Sequence, residues 1–173
     1  MRTNLKTTDI RTLLNYYNPD LIEENIHQTN NDILKYKFYL EDINGNQASL
    51  HDFQGKVLYV DVWASWCGPC RKQFPYAKEL KSKFSKRQLK KIKFLYISID
   101  NDYNKWKESI SKFDIDGYHF ISPANKVNGA GAYFEISSIP RYLIIDKNGE
   151  IINNNAKRPS DETLLQDLLD LIH

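Results

Sequence analysis

The chain's only two cysteines, Cys67 and Cys70, stand three positions apart where an apolar run gives way to a helical pattern. The run over 56–62 is rich in β-branched and aromatic residues and reads as a buried strand. Trp63, Ala64, Ser65 and Trp66 follow as a short loop, and the helix opens at Cys67. A thiol at a helix start meets unpaired N–H groups and the positive end of the macrodipole, both of which favour thiolate. Cys70 falls one turn later on the same side and deeper. Gly68 and Pro69 suit the tight first turn, because proline at an early helical position gives up no hydrogen bond. This pattern describes a dithiol that closes to a disulfide and reopens.

Two other uses of the pair compete with that reading. A structural zinc site would need a second pair of ligands. No third cysteine exists, and His27, His51, His119 and His173 are scattered without ligand spacing, so no metal is expected. An inert pair fits poorly with so activating a position.

Bulk properties set outer limits. A chain of 173 residues, 41% apolar and with net charge +2, is long enough for one domain with a real core and is not of the disordered class. No apolar run reaches membrane-spanning length, and the first residues lack the apolar core of a signal peptide. Either a cytosolic protein or a trimmed mature form is expected. Between Arg71 and Lys93 ten Lys or Arg face one acid, Glu79. With the whole chain nearly balanced and no nucleic-acid motif present, this run reads as a solvated surface, and no nucleic-acid partner is expected.

Taken in order, residues 1–34 read as a helical extension or linker and 35–173 as the main domain. Ile10, Leu13, Leu14 and Tyr17 recur at helical spacing until Asn18-Pro19-Asp20 breaks the pattern. Tyr36, Phe38 and Leu40 alternate before Asn44-Gly45, with Ala48, Leu50 and Phe53 beyond, which predicts a β-hairpin. After the cysteines an amphipathic helix is predicted over 74–86, kinked at Pro75. A strand over 92–99, a helix over 103–113 around Trp106, and a short strand over 117–121 follow. His119 reads as half-buried structure. A weak helix or loop at 128–134 leads to a strand over 141–145, a hairpin at Asp146–Gly149, and a terminal helix with Leu164, Leu165, Leu168, Leu169 and Ile172 inward. That order predicts an α/β layer architecture with a central mixed sheet.

Trp66-Cys67-Gly68-Pro69-Cys70 is identical to the thioredoxin active-site pentapeptide. More closely, the chain resembles the TlpA/ResA-type thiol–disulfide oxidoreductases, through Ser49-Leu50-His51-Asp52-Phe53-Gln54-Gly55-Lys56, an insertion before Pro140, and the segment from Ile139 to Gly149. The likeness spans about residues 35–172. It implies a thioredoxin-like fold and a reductant of protein disulfides working through a mixed disulfide, with Cys67 the attacking and Cys70 the resolving thiol. It further implies that Asp61, six residues before Cys67, is a buried acid that takes the Cys70 proton. Pro140 would be a cis-proline beside the sulfurs, Ile139 would offer backbone hydrogen bonds to an extended partner segment, and Trp63 and Trp66 would form an apolar rim, with plain core packing the alternative for Trp63. No cofactor beyond the redox-active disulfide is implied. Disulfide-containing proteins and an upstream thiol donor are the implied partners, in the periplasm or cell envelope, with the cytoplasm as alternative. Two departures stand out: Arg141 follows the proline where thioredoxins carry Thr, and Tyr96 stands where they carry the lysine that accompanies the buried acid. A peroxiredoxin-type thiol peroxidase is the rival enzyme reading, but its Pro-x-x-x-Thr-x-x-Cys motif is missing. A non-catalytic binding module is the other, and it would have no need of intact cysteines.

Overall fold

The computed structural model describes residues 39–126 and 128–173, so the expected extension over 1–34 and the boundary at 35 lie outside the described residues. Six strands form one mixed sheet in the order β1-β4-β3-β2-β5-β6. At its centre, β2 (Val57–Trp63) is buried at every position. It pairs in parallel with β3 (Ile92–Ser98) and antiparallel with β5 (Arg141–Ile145). Outside β3 come β4 (Tyr118–Ile121) and the two-residue β1 (Glu41–Asp42), and outside β5 comes β6 (Ile151–Asn153).

Side-chain alternation along β2 sorts the core into two layers. Val57, Tyr59 and Trp63 join one cluster with α1 (Gly68–Arg71), α2 (Phe74–Ser82), α3 (Tyr103–Lys112) and α5 (Leu164–Ile172). Leu58, Val60 and Val62 join the other, with Leu40, Phe120 and residues of α4 (Ala130–Tyr133). The parallel steps from β2 through α1 and α2 to β3, and from β3 through α3 to β4, place their helices on one face, as right-handed crossovers require. The chain returns across the opposite face through α4 to reach β5.

Two expected elements take another form. Instead of one helix opening at Cys67 and running through a kink at Pro75 to residue 86 there are two, α1 and an α2 shorter than expected. Proline at 75 has no N–H and its ring would collide with the carbonyl of Arg71, so the helix ends and restarts with Pro75 in the first turn of α2. Helix α2 stops at Ser82, yet Phe84 beyond it is still buried. The turn at Asn44-Gly45 forms, with Gly45 at φ 86° and Asp42 accepting from the N–H groups of Asn44 and Asn46, both at 2.8 Å. The arm after it is shorter than expected, a single antiparallel bridge of Gln47 to Glu41 with Ala48 N–H donating to the Leu40 carbonyl at 2.8 Å. Ser49 and Asp52 make a reciprocal capping box that winds Leu50–Phe53 into a 3-10 turn. Elsewhere Asp102 caps α3 by accepting from Asn104 and Lys105 N–H, and α5 buries Leu164, Leu168 and Ile172.

Candidate active site

The loop after β2 is tied down before the first cysteine is reached. Ile99 N–H donates to the Trp63 carbonyl at 2.9 Å. Asp100, buried at the end of β3, accepts from Ser65 N–H at 2.8 Å, Ser65 Oγ at 2.7 Å and Ser98 Oγ at 2.6 Å. Sequence reasoning missed this bridge; the signal was Ser98 and Asp100 closing an apolar strand opposite Ser65. Cys67 N–H then donates to the Ala64 carbonyl at 3.0 Å, and Cys67 becomes the N-cap of α1 with Pro69 in its first turn.

Cys67 and Cys70 are joined as a disulfide. Cys67 is 4% exposed and Cys70 fully buried, so an approaching group meets Cys67 first. The Cys70 N–H donates to Cys67 Sγ at 3.1 Å, a free amide aimed at the sulfur that would carry charge. Arg71 donates to the Ser65 carbonyl at 3.3 Å and lays its guanidinium over the Phe113 ring, 5.5 Å from the centroid. Gln73, nearly buried, accepts from Ser160 N–H at 3.2 Å, linking the end of α1 to the segment before α5.

The two tryptophans part company. Trp66 stands 65% exposed, at the rim. Trp63 is fully buried and packs edge-on against Phe74, 5.2 Å between centroids, so of the two places open to it, rim and core, it takes the core. Its strand position decides this, for Trp63 shares the face of Tyr59 and the helices. The Ile139–Pro140 peptide bond is cis, and both residues are half-buried. Val62 pairs with Arg141, which puts Pro140 just before the start of β5, next to the point where the cysteine loop leaves β2.

Asp61 has the parity of Tyr59 and Trp63 and therefore faces the layer that holds both cysteines. Across the ladder it meets Tyr96 of β3 on one side and Tyr142 of β5 on the other. Neither carboxyl oxygen completes a hydrogen bond, and burial pushes the Asp61 pKa well above the usual carboxylate range. The Tyr142 hydroxyl, itself unpaired, opposes that shift without satisfying the carboxyl. Burial, then the nearby Asp61 charge, raises the hydroxyl pKa of both Tyr96 and Tyr142. Gly117 lets the Tyr96 ring lie where it does, because a Cβ there would come within 2.6 Å of it. His119 stacks on the far side of Tyr96, 5.5 Å between centroids, and bonds the Ile115 carbonyl through Nε2 at 2.9 Å; burial lowers its pKa. It is structural in geometry, away from the sulfurs. Among the described residues no cluster of three or more metal-ligating side chains occurs.

The buried acid gives stability a definite pH slope. Folded Asp61 keeps its proton above the pH at which the unfolded chain loses it, so this contribution is full below the ordinary carboxylate range. It is lost as pH rises from there through the folded value. The wild-type stability minus that of Asp61→Asn is expected to fall by up to about 1.4 kcal/mol per pH unit across that window. Asp42, Asp102, Asp146 and Asp161, whose hydrogen bonds lower their pKa, slope the other way but cancel in the difference. Urea unfolding of both oxidised chains between acid and neutral pH measures it, and parallel curves would refute the burial argument.

The fold and this geometry define a class. The thioredoxin-like family profile matches residues 55–151, and the chain belongs to that family. Within it the chain is a homologue of the ResA thiol–disulfide oxidoreductases. It is 25% identical to a ResA of Bacillus cereus over 127 residues, covering 73% of this chain and 70% of that one. It is 22% identical to ResA of Bacillus subtilis, covering 78% and 72%. Among solved structures, a thiol–disulfide oxidoreductase candidate from Bacteroides vulgatus superposes with a TM-score of 0.67 at 33% identity, covering 78% of this chain and 91% of its own. No helix among the described residues is long and apolar enough to cross a membrane.

Proposed function

We propose that the Cys67–Cys70 pair reduces disulfide bonds of partner proteins. The observation that supports this most is the Cys70 amide held on Cys67 Sγ at the start of α1, which stabilises the charge an attacking sulfur carries. Cys67 thiolate attacks one sulfur of the partner's disulfide, and the other leaves as thiolate. Cys70 gives its proton to the Asp61 carboxylate and attacks Cys67 Sγ. That step closes the Cys67–Cys70 disulfide and frees the partner's second thiolate. Recharging reverses the proton flow. A donor thiolate attacks Cys67, Cys70 leaves and takes the proton back from Asp61, and a second donor thiolate releases Cys67. Asp61 thus carries its proton in the oxidised chain, in keeping with its burial, and is ionised when Cys70 is a thiol.

Trp66, Gly68 and Pro69 form the exposed approach to Cys67. Ile139 and Pro140 border it from just before β5, where the Ile139 backbone pairs with an extended partner segment. The dithiol needs no further cofactor. An extracytoplasmic compartment suits the likeness to ResA, with an upstream thiol donor supplying electrons.

The test is the equilibrium reduction potential of the pair in graded thiol buffers, read by tryptophan fluorescence. A value near about −270 mV or below supports a reductant, and one near about −120 mV would make the pair an oxidant and overturn the direction. The absence of a two-electron transition would end the redox reading.

A further inference from the structure

Two buried polar groups in this fold face each other without pairing. Asp61 of β2 and Tyr142 of β5 are directly opposed in the antiparallel ladder, both nearly inaccessible, and neither the carboxyl oxygens nor the hydroxyl completes a hydrogen bond. Orphaned polar atoms in a core call for an explanation, since each costs the desolvation of the group. The surroundings give these two no other relief. On β2 the neighbour is Tyr59, whose hydroxyl is committed to the Lys157 carbonyl at 2.7 Å. On β3 it is Tyr96, backed by His119 and by the charge of Asp116. From α1 come Cys67 and Cys70, while α2 buries Phe74, Ala77 and Leu80 here, α3 buries Trp106 and Ile110, and α5 buries Leu164 and Leu168. Before α5, Arg158 acts on Tyr142 and Asp161 on Tyr59. The lysine that the family resemblance would set beside the acid is replaced by Tyr96.

We propose that the Tyr142 hydroxyl is the positioning donor for Asp61, idle while the carboxyl is protonated and turned onto the carboxylate each time Asp61 ionises. The movement needed is small, because a phenolic O–H reorients about one bond. The orphaned pair then has a reason. The oxidised protein tolerates two unpaired groups so that the reduced protein has one strong, charge-assisted bond at the moment Cys70 holds the proton. A tyrosine performs by hydrogen bonding what a cation would perform by charge, without adding a second buried ion. This builds on the reading of Asp61 as proton acceptor for Cys70, but the coupling of the two side chains is measurable without it.

The direct test is the titration of the Asp61 carboxyl by carbon NMR in the oxidised chain, where no cysteine titrates. Tyr142→Phe removes the donor and keeps the ring, and the Asp61 midpoint is expected to rise by about one unit or more. An unmoved midpoint in the folded variant would overturn the proposal. Should Tyr142→Phe not fold, the wild-type chain still decides. Its Tyr142 ring carbon bonded to oxygen is expected to shift in step with Asp61, and a flat signal would overturn the proposal equally. The kinetic arm uses a thionitrobenzoate mixed disulfide on Cys67, whose release by Cys70 is visible. Its pH midpoint is expected to move up with Tyr142→Phe, slowing release about tenfold below the midpoint, and Tyr142→Phe is expected to add nothing in an Asp61→Asn background. An additive effect there would mean that Tyr142 acts by another route and would sink the proposal. If Asp61→Asn releases thionitrobenzoate at the wild-type rate, the base assignment fails, while the NMR titration still decides the Asp61–Tyr142 coupling.

Discussion

Cys67→Ser is expected to lower turnover of a disulfide-bonded protein substrate by roughly 10³-fold or more, because a hydroxyl in place of the thiol leaves no nucleophile at the more accessible of the two cysteine positions. Cys70→Ser is expected to fail differently. Its Cys67 still attacks, so partner molecules accumulate as mixed disulfides that a thiol reagent releases and that migrate as a heavier species on non-reducing gels. The asymmetry follows from burial, Cys67 at the surface of the pair and Cys70 beneath it. Equal activity of Cys67→Ser and wild type in the same assay would sink the enzyme reading. Trapping through Cys70 instead would reverse the assignment of attacker and resolver.

The largest stability effect falls on Trp63. Truncation to Ala empties the space between the end of β2 and Phe74 at the start of α2, in a core with no neighbouring solvent to collapse into. A loss of about 3–5 kcal/mol is expected by urea unfolding. Trp63→Phe is expected to cost less than about 1.5 kcal/mol, because it keeps most of the packing and deletes an indole N–H that has no hydrogen-bond partner. If Ala and Phe prove equally damaging, packing is not what Trp63 supplies. Because the same side chain backs the loop carrying the cysteines, Trp63→Ala is also expected to make that disulfide easier to reach for small thiols.

What the sequence disclosed tracks how local the controlling forces are. The Cys67–Cys70 turn, the strand over 141–145 and the helix that begins after Asp102 are written in neighbouring residues, and all three were legible. Splitting α1 from α2 was half legible: Pro75 announced a disturbance, but whether a helix bends or restarts depends on whether the core can seat Phe74 and Ala77 after the break. The 3-10 turn at Leu50–Phe53 was misread because the alternation of apolar residues outweighed the capping box at Ser49 and Asp52. In the sequence Trp63 stands open between rim and core because the end of the strand is not legible: β2 runs on through Trp63 and turns it onto the face of Tyr59, whereas Trp66 stands in the turn beyond. The bridge from Asp100 to Ser65, for which Ser98 and Asp100 were only a faint signal, and the meeting of Asp61 with Tyr142 were missed for another reason. They depend on which strands become neighbours, and β2, β3 and β5 are far apart along the chain.

That strand order also bears on how the protein is made. Strand β2 takes β3 on one side and β5 on the other, and β5 emerges from the ribosome only after β3, α3, β4 and α4. At typical synthesis rates the interval is on the order of ten seconds. For that time one edge of a strand buried at every position in the finished fold is open, next to two thiols that can already reach each other. Aggregation through the bare edge and early oxidation of the pair compete with completion of the sheet. Holding factors that cover an exposed strand would therefore raise the yield of native protein more than catalysts of disulfide formation.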